Sequence, residues 1–100
     1  MGWNRAAQIL TLTGSGTVGA LSIVTSAVQA KVGASAMVNR KTLQVFNNTS
    51  EPIYWATNST QCTSAAGFPI PAGASQTWTL TDSVEIWVVG SGNVRVAEMW

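Results

Sequence analysis

Apolar and polar side chains alternate with a period of two in separate stretches of this chain, a pattern that suits sheet and not helix. Along 42–47, Leu43 and Val45 face one way while Thr42, Gln44 and Phe46 face the other. Along 76–80, Trp78 and Leu80 alternate with Thr77 and Thr79. Val84, Ile86 and Val88 share one face, and Val94 and Val96 another. Glu85, Arg95 and Glu98 then mark exposed or paired positions.

The punctuation between these runs predicts their connections. Asn47-Asn48-Thr49-Ser50-Glu51-Pro52 is a dense turn signal ahead of Ile53-Tyr54-Trp55-Ala56, so the flanking runs are expected as a hairpin or as neighbouring strands. Gly90-Ser91-Gly92-Asn93 separates Val84–Val89 from Val94–Glu98 and predicts a β-hairpin. In Gly67–Gly73, Pro69 and Pro71 cannot donate to a central ladder, so this piece is read as an edge or a covering segment anchored by Ile70, with Gly73 permitting a tight turn. Ala6–Thr13 and Ser26–Val32 read as strands, Gly14-Ser15-Gly16-Thr17 as a turn, and Ala34-Ser35-Ala36-Met37 admits a helical turn.

Short strands with turn signals at this spacing predict an all-β fold, an antiparallel β-sandwich or small barrel of about six to eight short strands, with an extended N-terminal segment. The whole chain, 1–100, is read as a single domain. Residues 1–38 supply an arm plus the first strands, and 39–98 the β core.

Charge is scarce. Charged residues make up 9% of the chain, against about 25% in a typical soluble protein, so Thr, Ser, Asn and Gln must supply most surface polarity. Electrostatic repulsion between copies is correspondingly weak, which suits a protein packed among neighbours. The five basic residues, Arg5, Lys31, Arg40, Lys41 and Arg95, are scattered apart from one Arg-Lys pair and give no footprint for nucleic acid. The stretch from Ala6 to Val24 has the outline of a secretory signal, but Gln8, Thr11, Thr13 and Thr17 make it too polar for a signal or a membrane span.

The raw material for catalysis is thin. Histidine is absent, so Cys62 has no imidazole to activate it. The carboxylates are Glu51, Asp82, Glu85 and Glu98. Glu85 and Glu98, on adjacent predicted strands, are the one pair able to approach as glycosidase acids do, and two strand residues near Arg95 is the favoured reading. Gly14-Ser15-Gly16 and Gly90-Ser91-Gly92 lack the lysine and the strand-loop-helix setting of a phosphate cradle. No catalytic, cofactor-binding or metal-ligating residue is assigned, and no enzyme activity is expected. Trp55, Trp78 and Trp87 are expected in the core, whereas Trp3 and Trp100, near the two ends, are candidate subunit-interface anchors.

The order Asn39-Arg40-Lys41-Thr42-Leu43-Gln44-Val45-Phe46-Asn47-Asn48, then Pro52-Ile53-Tyr54-Trp55, then Gly67-Phe68-Pro69-Ile70-Pro71-Ala72-Gly73, closing in Asn93-Val94-Arg95-Val96-Ala97-Glu98, resembles small virion structural proteins of tailed bacteriophages. The likeness spans residues 39 to 98. It implies a β-sandwich on the particle, of the capsid cement or decoration type, or a tail or head-fibre component. The cement role implies the major capsid protein or other virion proteins as partners, a place on the capsid exterior and a homo-oligomer, with a trimer expected. Nucleic acid and membrane are not expected partners. An alternative from another class is a carbohydrate-binding module that stacks sugar rings on exposed tryptophan.

Overall fold

The computed structural model describes residues 16–23 and 26–100. It contains eight antiparallel strands: β1 (Gly16–Ile23), β2 (Val28–Gln29), β3 (Thr42–Phe46), β4 (Ile53–Ala56), β5 (Phe68–Ile70), β6 (Ser75–Thr79), β7 (Trp87–Val89) and β8 (Gly92–Met99). They form two four-stranded sheets, ordered β1-β8-β3-β6 and β2-β7-β4-β5. A core of Leu43, Val45, Val94, Val96 and Ile23 from the first sheet and Ile53, Ile70 and Val88 from the second lies between them. The fold is therefore the expected all-β sandwich.

Alternation places these residues inside. Leu43 and Val45 are fully buried on β3, and Val94 and Val96 meet them from β8, with Val45 opposite Val96. Each such side chain contributes about 1.5–3 kcal/mol by leaving water. Ile70 anchors the edge strand β5 as its flanking prolines predict, and Gly73, at φ 79°, makes the turn into β6.

Both predicted hairpins are instead crossings between sheets. β3 and β4 lie in different sheets, as do β7 and β8. The second crossing passes through Gly90, where an added Cβ would stand 2.8 Å from Ile53 Cγ2 and 3.1 Å from Ile23 Cδ1. A residue without a side chain lets the backbone leave one sheet for the other here without displacing these core isoleucines. The strand expected from Val84 is also shorter: Val84 is exposed in a turn and donates its N–H to Thr81 O, and pairing begins at Trp87.

Other local expectations shift as well. Gly16 and Thr17 open β1 and do not turn, strand pairing within 26–32 is confined to Val28–Gln29, and 34–37 is not helical. The strand expected over Ala6–Thr13 lies outside the described residues.

Asn47 ties the end of β3 to the connection that follows β5. Its Nδ2 donates to Glu51 O and Ile70 O, and its Oδ1 accepts from Thr49 N and Thr49 Oγ1. Its backbone N–H donates to Ala74 O while its carbonyl accepts from Gly73 N. Every polar group of this fully buried side chain is satisfied, as its burial demands.

Candidate interaction surface

The two sheets differ on their outer faces. On the β2-β7-β4-β5 sheet, Tyr54, Ala56, Trp87 and Val89 point away from the core, and the 57–66 loop folds over them and inserts Cys62 to make a second apolar cluster. Cys62 is buried and its Sγ lies 3.5 Å from Tyr54 O. Burial pushes the thiol above its ordinary range, partly offset by a backbone hydrogen bond at Ala56. That thiol is a packing group.

The outer face of the β1-β8-β3-β6 sheet has no such cover among the described residues. Strand register lays out its rows: Val18, Ala97, Gln44 and Thr77 in one, and Ala20, Arg95, Phe46 and Ser75 in the next. A third row joins Gly16, Met99, Thr42 and Thr79. Val18 is 73% exposed, Met99 39% and Phe46 37%. Val18, Gln44, Phe46, Arg95 and Ala97 border a shallow depression of about 180 Å³. Arg95 is the one charged side chain in these rows, so the face is nearly neutral and partly apolar.

The ionic expectations are corrected by one buried pair. Glu98 follows Val94 and Val96 on the inward row of β8 and is fully buried. Its Oε2 accepts from Arg40 Nη1 at 2.8 Å, and the carboxylate also receives the N–H groups of Val32 and Met37. Arg40 Nη2 donates to Thr81 O and Val84 O. Arg40 turns inward directly after Asn39, whose φ of 61° bends the chain there. Glu98 therefore pairs with Arg40, not Arg95, and it does not meet Glu85, which is exposed and accepts from Trp87 Nε1 at 3.0 Å. Removing this pair from the nine charged residues leaves seven for the rest of the chain.

The tryptophans divide. Trp55 and Trp78 border the core with ring centroids 5.0 Å apart, edge to face, and Phe68 leans on Trp55 at 5.2 Å with 33° between the planes. Thr57, Gln61 and Ala66 complete a cleft of about 290 Å³ beside Trp55 and Phe68. Its inclined rings do not form one flat stacking platform. Trp87 packs in the second cluster under the loop. Trp100 is 49% exposed beyond the end of β8, next to Met99, while Trp3 lies outside the described residues. Among the described residues no group of three or more His, Cys, Asp or Glu side chains could hold a metal ion.

No protein-family model matches this chain, and the comparison with curated proteins finds no match.

Proposed function

We propose that this chain is a non-enzymatic structural protein of a tailed-phage virion, of the cement type, that binds neighbouring capsid subunits through the outer face of its β1-β8-β3-β6 sheet. The observation that carries the reading is the contrast between the two outer faces. One is partly covered by the chain's own 57–66 loop, and the other presents Val18, Phe46 and Met99 on a nearly neutral surface with no such cover among the described residues. A nearly neutral, partly apolar sheet face suits burial against another protein, and it lacks the basic stripe that nucleic acid requires.

Mechanically, a cement protein works by adding contacts. Apolar area and polar side chains such as Gln44, Thr77 and Thr79 become shared across a subunit boundary, so opening that boundary under internal pressure costs more. The burial of Arg40 and Glu98 against each other fits this role, because it keeps two of the few charges away from the surface. Trp100, 49% exposed just past Met99, is a large apolar side chain available for contact with a neighbour.

The test is co-sedimentation of the purified protein with capsids of the phage that encodes it, followed by heating of particles with and without it. Binding and a higher disruption temperature are expected. Failure to bind, or equal heat resistance of particles lacking the protein, overturns the proposal.

A further inference from the structure

A sheet edge is a row of unpaired backbone donors and acceptors, and proteins blunt such rows with short strands, proline, charge or bulges. Among the described residues, the other three sheet edges are shorter than β1. β2 has two residues, β5 has three with Pro69 at its centre, and β6 has five. β1 is different. It runs eight residues, Gly16-Thr-Val-Gly-Ala-Leu-Ser-Ile23, with no charge and no proline. It pairs with β8 residue for residue from Gly16↔Met99 to Ile23↔Gly92, with no bulge. Among the described residues, β8 is its one strand neighbour.

We propose that β1 is the contact between copies of this chain: two β1 strands pair antiparallel about a two-fold axis and join two four-stranded sheets into one. This rests on the assembly reading above and names a second copy as the partner. A neutral strand carries no like charges to oppose its own copy, and alternate residues of β1 direct their N–H and C=O groups away from β8.

The pleat narrows the register. Residues directly opposite one another in a ladder lie on the same face, so the outward row Gly16, Val18, Ala20 and Ser22 must meet the same row of the other copy. Placing Gly19 against Ala20 breaks this rule. Two central registers remain. Gly19 lies opposite the partner's Gly19, with Val18 opposite the partner's Ala20, or Ala20 lies opposite the partner's Ala20, with Val18 opposite the partner's Ser22. Both bring side chains beside Val18, the most exposed apolar residue of the strand. An isologous contact closes as a pair, so it builds dimers and not the trimer expected from the resemblance.

The experiment is mass measurement by sedimentation equilibrium over a concentration series. The wild-type chain should move to twice its 10.5 kDa mass. In Val18→Lys/Ala20→Lys, lysines oppose lysines in both registers, and in Val18→Glu/Ala20→Glu glutamates do the same. Each double variant alone should be monomeric with an unchanged circular-dichroism spectrum, and an equimolar mixture of the two should recover the dimer. A wild type that stays monomeric overturns the proposal. A dimer that persists in each double variant, or a mixture that stays monomeric, also overturns it. A wild type that stays monomeric yet binds capsids overturns this inference and leaves the assembly reading standing. A chain that dimerises but never binds capsids overturns that reading and leaves the pairing intact.

Discussion

Arg40 and Glu98, 58 residues apart in sequence and each 1% exposed, meet at 2.8 Å inside the sandwich and fasten the 30–41 and 80–86 connections to the end of β8. The carboxylate takes three donors and the guanidinium reaches two carbonyls beyond it, so each charge has lost water and gained directed partners. Breaking one side strands the other. Glu98→Gln or Arg40→Met is expected to cost about 3–5 kcal/mol, because a buried charge is left unmatched. Urea unfolding of both single variants and of the double variant checks this: the double should cost clearly less than the sum.

Asn47 makes a separate demand on side-chain chemistry. Replacement by Ala leaves Ile70 O without its partner and should cost about 1–3 kcal/mol. Asn47→Asp should be worse at neutral pH, since a carboxylate there faces the carbonyls of Glu51 and Ile70. Those oxygens raise the acid's folded-state pKa above its unfolded value, so its relative stability is greatest below the ordinary carboxylate range and is lost as pH rises through it. Thermal melts across acid pH measure that slope.

Gly90 is held by close approach. With Ile53 and Ile23 inside ordinary contact of a Cβ, Gly90→Ala must push a core isoleucine aside and should cost about 1–3 kcal/mol. Gly33→Ala, whose nearest neighbour would be 3.9 Å away, serves as the control and should change the denaturation midpoint little.

The Cys62 thiol should be slow to alkylate in the folded protein, because burial lifts its ionisation above the ordinary value of 9.0. The unfolded chain ionises first as pH rises, so the stability tied to the neutral thiol is present below pH 9 and lost above it. Iodoacetamide labelling followed by mass spectrometry, with and without urea, reads the protection. Equal rates in the two states would contradict the buried placement under the 57–66 loop.

Much of the fold was legible because strand faces are local. Leu43 with Val45, Val94 with Val96, and the proline-flanked Ile70 occupy the core as the alternation predicts. Sheet membership is not local. The spacing from Phe46 to Ile53, or from Val89 to Gly92, suits a hairpin and a crossing equally, and the choice is made by packing against residues distant in sequence. The crowding around Gly90 is the physical trace of that choice.

Glu98 shows the same division. Its place after Val94 and Val96 put it on the inward row, while its charge argued for solvent, and the strand phase prevailed because Arg40 and two backbone N–H groups receive it. The bare outer face was invisible in the sequence, since its rows assemble from four strands. The weak signal for it was the scarcity of charge along 16–23, 42–46 and 75–79.

The proposal that the β1-β8-β3-β6 face docks onto capsid is tested most directly by charging it. Gln44→Glu/Phe46→Glu places carboxylates beside Arg95 on the exposed face, where folding tolerates them, and Ala66→Glu charges the covering loop on the opposite side. In quantitative capsid co-sedimentation, the first variant is expected to lose at least about tenfold in affinity, as loss of a central apolar contact commonly does, and the second to bind as wild type does. Equal binding by all three proteins would contradict the account.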